Sequence, residues 1–333
     1  MNFAAVLMAG ILFMSMSGCH DKPSPDKNNG GYPDEVADIL LTQCATTGCH
    51  TTSNAANAAG IDLSSWDKLF DPGRSGNSVV PSAPQYSYLL YSINTDTNQG
   101  PVLSPTMPYN RSPLSSTEYE LLYQWIADGA RGSNGELKFP DSPSRKKVYV
   151  CMQGCDQVAV MDAASRSIMK YVPVGNDPNV IEAPHMVRVS PDGQFWYAVF
   201  YSGTVLQKFR TSDDQLVGTV SVGSADWNAI IITPDGRTGF LNGTNAGITA
   251  VINLETMTQS GSFGLDFPHG GFITLDGNFL YLTSQLGNFI TKIDLNSAPF
   301  YDSETVLLQP GEIRTTTSRY NAHEISLSPD GTK

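Results

Sequence analysis

Two cysteines and a histidine near the start of the chain are spaced so that they could do chemistry together. The segment reads Cys44-Ala-Thr-Thr-Gly-Cys49-His50. Covalent c-type haem needs two thiols and an adjacent histidine as iron ligand, usually as Cys-x-x-Cys-His, whereas four residues separate the thiols here. A disulfide beside an unrelated histidine, or a zinc site, also suits this spacing. Zinc needs four ligands, however, and this region has no second Cys/His cluster.

A methionine further along favours haem among these alternatives. Met107 lies between Pro105 and Pro108, on a stiffened loop that precedes a predicted helix. Haem iron in electron-transfer cytochromes commonly takes Met as its distal ligand, which raises the reduction potential. Met107 is the only methionine between residues 32 and 131. Its polar, proline-rich setting argues against the alternative that it merely fills a core.

Helices are predicted on both sides of these residues. Pro33 and the two acids after it suit a helix start, and the apolar residues that follow at helical spacing lead to Cys44. Ser115 and Glu118 form a capping-box pattern that begins a second helix, and Gly129 suits its end. The first domain is therefore expected to be helical, with long loops.

Residues 32–131 resemble a bacterial c-type cytochrome domain of the planctomycete and Bacteroidetes kind. The resemblance implies that Cys44 and Cys49 attach one haem c, with His50 as proximal and Met107 as distal ligand. The four-residue spacer departs from the usual pattern of the family. The matching segments are Ile39–Leu40, Gly48–His50, Ala59–Leu63, Val79–Pro81, Ser87–Leu89, Met107–Pro108, Pro113–Ser115 and Trp125–Ala130.

The second half of the chain repeats a turn. Asp-Gly turns centred on Asp192, Asp235, Asp276 and Asp330 step by 43, 41 and 54 residues, and the last step contains an insertion around residues 297–320. Four short strands accompany each complete unit, which is typical of a β-propeller blade. The alternative is a β-sandwich with coincidental turns, which the constant phase of the repeat disfavours.

The repeats also resemble the YVTN-type propeller, through segments such as Val148–Val150, Met161–Asp162, Val172–Gly175 and Pro184–His185. About 4.5 units fit into residues 147–333, whereas a ring of seven blades needs roughly 300 residues. We therefore expect an incomplete propeller that is truncated at its C-terminus. The predicted organisation is a signal peptide at 1–18, a tether at 19–31, a cytochrome c domain at 32–131, a linker at 132–146 and propeller repeats at 147–333.

Histidines recur at one position of the repeat. His185, His269 and His323 each lie seven residues before the turn aspartate, and Asn228 has this position in the remaining unit. We expect these side chains to converge at the mouth of the central channel, where imidazoles could bind copper, zinc or a second haem. Nitrous oxide reductases and haem-d nitrite reductases use propeller histidines in this way. The alternative is a structural or substrate-lining role, which is common for this position in YVTN repeats.

The remaining cysteines divide between two roles. Cys151 and Cys155 flank a predicted hairpin turn and could form a disulfide. Residues 2–18 are uncharged and resemble a signal-peptide apolar region, and Cys19 follows Met16-Ser17-Gly18 as in a bacterial lipoprotein. We therefore expect an exported protein of the periplasm or cell surface, attached to a membrane through lipid on Cys19. A plain secreted protein is the alternative.

The net charge of −12 disfavours nucleic acid as a partner and suits a basic redox protein. Three functions fit these observations. The first is an electron-transfer cytochrome whose propeller docks a partner. The second is an oxidoreductase with an active site in the propeller mouth, served by the haem. The third is a binding or scaffold propeller.

Overall fold

The computed structural model describes residues 28–317, 320–328 and 330–331. Its first part is helical, and its second part consists of antiparallel sheets, which confirms the predicted fold class. Among the described residues no helix combines the length and the apolarity that a membrane span requires. The helices are α1 (Asp34–Ile39), continued by a π-helix (Leu40–Cys44), α2 (Trp66–Leu69), α3 (Tyr88–Ile93) and α4 (Ser116–Ala127), with 3-10 turns at Ala55–Asn57, Pro84–Tyr86, Thr97–Gln99 and Leu295–Ser297.

Helix α4 organises the first domain. Ser115 and Glu118 form the predicted capping box, and Gly129 follows the helix with a φ of 98°. The apolar face of α4 packs against α1 and the π-helix in one core, in which Leu122 and Ile126 are fully buried. Trp125 is largely buried there, with its indole nitrogen bonded to the Arg131 carbonyl.

In the described residues, fifteen strands form four separate sheets. Each sheet is a simple antiparallel meander, which we call blade 1 (β1–β3), blade 2 (β4–β7), blade 3 (β8–β11) and blade 4 (β12–β15). The strands β4, β8 and β12 lie side by side at the inner ends of their blades. The strands are β1 (Lys147–Met152), β2 (Gln157–Asp162), β3 (Ile168–Pro173), β4 (Pro184–Val189), β5 (Phe195–Phe200), β6 (Val205–Arg210), β7 (Leu216–Ser221), β8 (Trp227–Ile232), β9 (Thr238–Gly243), β10 (Ile248–Asn253), β11 (Thr258–Gly264), β12 (Pro268–Ile273), β13 (Phe279–Ser284), β14 (Phe289–Asp294) and β15 (Ser303–Leu307).

The repeated Asp-Gly turn has the same hydrogen bonds in each copy. A Ser or Thr hydroxyl donates to the turn aspartate at 2.5–2.6 Å, and the glycine has a φ of 70–75°, which favours a residue without a side chain. These bonds hold the pKa of Asp192, Asp235 and Asp276 below its ordinary value. The four bonded pairs are Ser190–Asp192, Thr233–Asp235, Thr274–Asp276 and Ser328–Asp330.

The helical domain is bonded to blade 1. The Ser167 hydroxyl donates to the Phe70 carbonyl at 2.6 Å, and the Ile168 amide donates to the Asn77 side chain at 3.0 Å. The rings of Tyr86 and Tyr171 lie 4.4 Å apart between their centroids. These contacts join the two parts directly rather than only through the linker.

The predicted disulfide between Cys151 and Cys155 is absent, because both residues carry free thiols. Cys151 lies in β1 opposite Val158, whereas Cys155 lies in the connecting turn. The Cys155 sulfur contacts the Met152 carbonyl and the Gln157 side chain, at 3.7 and 3.9 Å, and is therefore directed along the turn. The prediction was wrong because the turn begins two residues before Cys155, which removes it from the strand ladder.

A buried carboxylate links blades 1 and 2. Asp214 pairs with Lys147 at 2.7 Å, and their side chains are only 1% and 3% exposed. Asp214 also accepts hydrogen bonds from the Tyr149 hydroxyl and the Trp196 indole, at 3.0 and 3.1 Å. Lys170 lies 3.1 Å from the same carboxylate. One residue of blade 2 therefore compensates for two lysines of blade 1.

Replacing Asp214 should destabilise this junction strongly. Asp214→Asn keeps the shape but leaves Lys147 charged and buried without its counter-ion, so we expect a loss of about 3–5 kcal/mol in the free energy of unfolding. Urea unfolding followed by tryptophan fluorescence measures it. The neighbouring Asp213→Asn is the matched control, because Asp213 is partly exposed and pairs with an exposed arginine. Equal stabilities of the two variants would contradict this account of the junction.

Candidate haem site and propeller histidine cluster

The two cysteines lie at the ends of a compact loop. The π-helix Leu40–Cys44 delivers Cys44 into the core, and the His50 amide donates back to the Cys44 carbonyl at 3.1 Å. Gly48 has a φ of 84°, and a Cβ there would meet no atom within 4 Å, so its backbone conformation explains the glycine. The longer spacer therefore closes on itself and returns Cys49 and His50 to the end of the helix.

Hydrogen bonds orient the histidine. The Nδ1 of His50 lies 3.3 Å from the Ile61 carbonyl, to which it donates. This bond assigns the proton to Nδ1 and leaves Nε2 as the ligand atom. The Asn54 side chain supports the loop from outside, donating to the Gly48 and Cys49 carbonyls at 2.7 and 2.9 Å.

The Met107 loop lies against the same region. The Met107 amide donates to the Ser92 carbonyl at 2.8 Å, which fixes the loop to the end of α3. The Met107 side chain is partly buried and packs against the core that contains Cys44. Further along the loop, Arg111 lies 3.4 Å from the Thr46 hydroxyl, between the two cysteines in sequence. The Met107 loop therefore contacts the attachment loop through Arg111, while Met107 itself packs against the helical core.

The donor set fits haem better than zinc. Burial, with a smaller contribution from Cys49, raises the pKa of Cys44 to about 11. Among the described residues, Cys44, Cys49 and His50 do not form a group close enough to share one ion. Two cysteines would attach a haem covalently and the imidazole would bind its iron, so these three side chains would not have to share one ion. The residues present therefore fit a covalent haem.

The repeated histidine position is a β-bulge in every complete blade. His185, Asn228 and His269 each lie where the ladder between the inner strand and the next one shifts register. A bulge leaves one residue out of the ladder and re-aims its side chain. The position counted from the turn aspartate therefore lies inside the inner strand, near its start.

The structure brings the three histidines together. The rings of His269 and His323 lie 3.8 Å apart between their centroids, and those of His185 and His269 lie 6.4 Å apart. Asn228 does not join them, because its amide donates to the Thr244 hydroxyl at 2.8 Å. Glu324 does join them, and its candidate ligand atom lies within 4.8 Å of those of His269 and His323. Sequence reasoning missed Glu324, although its position directly after His323 was a usable signal.

The environment favours the neutral form of His185 and His269. Burial, followed by the neighbouring His323, lowers the pKa of His269 to about 4, although its bond to the His323 carbonyl opposes the shift. Burial and His323 also lower the pKa of His185. Burial raises the pKa of Glu324, while Arg188 and His323 act in the opposite direction. Neutral imidazole is the form that binds metal ions.

The comparison with protein families supports the candidate haem site. Residues 47–102 match the family model of the Planctomycete cytochrome C. The predicted resemblance is confirmed for this segment, and this family implies covalently bound haem. The matched range contains Cys49 and His50, whereas Cys44 and Met107 lie outside it. The roles of Cys44, Cys49, His50 and Met107 remain predictions, supported by the geometry described above. A search of curated proteins finds no significant match.

Two solved structures are similar to part of the chain. Hydrazine synthase from Kuenenia stuttgartiensis is 23% identical with a TM-score of 0.39, over 48% of this chain and 42% of that one. An inactive variant of virginiamycin B lyase from Staphylococcus aureus, bound to quinupristin, is 16% identical with a TM-score of 0.44, over 54% of this chain and 56% of that one. The chain therefore spans about half the length of each.

Removing the thiols should remove the covalent haem. We expect Cys44→Ala together with Cys49→Ala to abolish the haem-stained band on a denaturing gel, whereas each single variant keeps one thioether position. Cys151→Ala with Cys155→Ala is the matched control, because those thiols lie in blade 1 and its turn. Haem that stays on the polypeptide in the Cys44/Cys49 double variant would contradict the assignment.

Proposed function

We propose that this chain is an exported, lipid-anchored electron-transfer protein with one covalent haem, whose propeller docks a redox partner. The observation that carries the proposal is the single region formed by Cys44, Cys49, the oriented His50 and the Met107 loop. When bound, haem supplies reversible one-electron transfer at its iron. The match to a cytochrome c family supports the haem-binding part of this proposal.

The residues around the site have separable tasks. Cys44 and Cys49 would fix the group covalently, and His50 would offer Nε2 to the iron because Ile61 holds Nδ1. Met107 would complete the axial pair with a thioether, which favours the reduced state and raises the potential. The buried residues beside Cys44 exclude water from one side, which also tunes the potential.

The propeller would bring a partner to the haem domain. The contacts of Ser167 and Tyr171 with the helical domain hold the two parts together, so a partner bound to the blades would have a defined position relative to the haem. The net charge of −12 suits a basic partner, since complementary charge accelerates association, and it disfavours nucleic acid.

Export and anchoring form a separate part of the proposal. Cys19 and the apolar stretch before it lie outside the described residues, so this part depends on the sequence pattern alone. We propose that Cys19 carries lipid and that residues 19–31 tether the folded protein to a membrane of the periplasm or cell surface. A bacterial compartment that assembles c-type haem and lipoproteins is consistent with both features.

An oxidoreductase is the second candidate function. It is favoured by the converging His185, His269 and His323, which would offer a copper ion or a second haem a place in the propeller. The c-type haem would then exchange electrons with that site. A scaffold or binding propeller is a third candidate that these side chains do not specifically support.

Replacing Met107 should change the potential without detaching the haem. We expect Met107→Ala to keep the covalent haem but to lower its midpoint potential by on the order of 100 mV, since axial ligands move haem potentials over about 0.8 V. Spectroelectrochemical titration measures this shift. Met152→Ala, at an exposed methionine of β1, is the control. An unchanged potential in Met107→Ala would show that Met107 is not the distal ligand.

Replacing Cys19 should release the protein from membranes. We expect Cys19→Ala to move the exported protein from the membrane fraction to the soluble fraction, because the acceptor for lipid is lost. Radiolabelled fatty acid should label the natural sequence and not the variant. Labelling of Cys19→Ala, or its continued sedimentation with membranes, would contradict the anchor.

A further inference from the structure

Hydrogen bonds to the His323 carbonyl hold His269 and His323 next to each other. His269 lies on a bulge of β12, and His323 lies on the neighbouring segment, whose carbonyl accepts from the Gly270 amide at 3.0 Å. The Nδ1 of His269 lies 2.9 Å from that same His323 carbonyl. Since a carbonyl only accepts, Nδ1 carries the proton and Nε2 is left as a free lone pair. Metal-binding histidines typically show this pattern.

A glycine brings the carboxylate to the imidazoles. A Cβ on Gly270 would collide with the Glu324 carboxylate and with the His323 carbonyl, so only glycine permits Glu324 to lie here. Glu324 also lies 3.8 Å from Nδ1 of His269. The Pro268-His269-Gly270-Gly271 sequence thus supplies one ligand and the space for another.

We propose that His269, His323 and Glu324 bind one divalent first-row transition metal ion of the zinc and copper class. With either ring nitrogen of each histidine counted as a candidate, the ligand atoms lie within 4.8 Å of one another. A tetrahedral site with bonds of about 2.1 Å needs separations of about 3.4 Å. His323 and Glu324 are exposed, so their side chains can rotate to close this difference, while the buried His269 stays fixed.

The types of ligand atom determine which class of metal ion the site would bind. Two imidazoles and one carboxylate suit zinc, copper and iron, whereas magnesium and calcium prefer sites made only of oxygen. Three protein ligands leave at least one coordination position open, as in catalytic rather than structural zinc sites. The exposure of His323 and Glu324 leaves that position accessible from solvent. The ion could therefore bind a small exogenous ligand.

His185 lines the site without being assigned as a ligand. Its Nδ1 lies 2.7 Å from the Gln153 side-chain amide, and its ring lies beside Tyr201. This site does not depend on the haem, because none of its residues belongs to the helical domain. It also revises the three-histidine set expected from the repeat, since Glu324 replaces His185.

Calorimetric titration of the full-length, haem-loaded protein with Zn²⁺, and separately with Cu²⁺, tests the proposal. We expect one site per chain. Glu324→Gln and His323→Ala should each weaken the affinity for Zn²⁺ by about 100-fold, which is at the upper end of what loss of a supporting residue causes. Both side chains are exposed, so these variants should fold. Circular dichroism and haem content check this independently.

Matched variants separate this site from weaker binding elsewhere. Glu304→Gln removes an exposed carboxylate of β15 that pairs with Lys292. This variant should retain the affinity of the unchanged protein. The proposal is overturned if the unchanged protein binds neither ion stoichiometrically. It is equally overturned if Glu324→Gln binds as well as Glu304→Gln, or if His185→Ala loses binding while Glu324→Gln keeps it.

Discussion

The hydrogen bond from a Ser or Thr hydroxyl to the aspartate two residues later determines most of the propeller's geometry. It recurs as Ser190–Asp192, Thr233–Asp235, Thr274–Asp276 and Ser328–Asp330, and the first three copies close the hairpins between the inner strand and the next strand of blades 2, 3 and 4. Because the turn fixes the register of the hairpin, positions counted back from the aspartate are equivalent in every blade. The seventh position before it is therefore the bulge, whichever side chain it carries.

That constraint explains why chemistry can collect at one place. His185, Asn228 and His269 all lie out of the ladder at equivalent bulges, and the segment with His323 lies beside the last of them. In blade 3 this position has a structural role, because the Asn228 side-chain amide donates a hydrogen bond to the Thr244 hydroxyl. In the others the same geometry brings imidazoles together. The bulge sets where the side chain points, and the residue type sets what that side chain can bind.

Some of these features could be predicted from the sequence, and others could not. The capping box at Ser115, the turn aspartates and the presence of four short strands in each complete unit followed from local patterns. Contacts between distant segments were not predictable. Asp214 gives no local signal of its two lysine partners, and Glu324 reaches His269 only because Gly270 permits it. For Cys151 and Cys155 the sequence suggested a contact that the structure does not contain. The two cysteines are close in sequence, but both are free thiols in the structure.

The haem site depends on a different principle from the histidine cluster. Cys44, Cys49 and His50 are neighbours in sequence, and only Met107 comes from a distant loop, so the spacing of residue types carries most of the information. The helical core then adds orientation through the Ile61 carbonyl and burial around Cys44. The structure therefore contains one site defined mainly by local sequence and one defined mainly by repeat geometry. The two lie in parts of the chain that contact each other directly.

The stoichiometry of covalent haem tests the central claim most directly. Full-length protein, produced in a bacterial host that assembles c-type cytochromes, would be denatured and freed of non-covalent ligands before the ratio of haem to polypeptide is measured. A ratio of one, with haem found on the peptide that contains Cys44 and Cys49, is the predicted result. A polypeptide without haem, or haem attached to any other peptide, would contradict it.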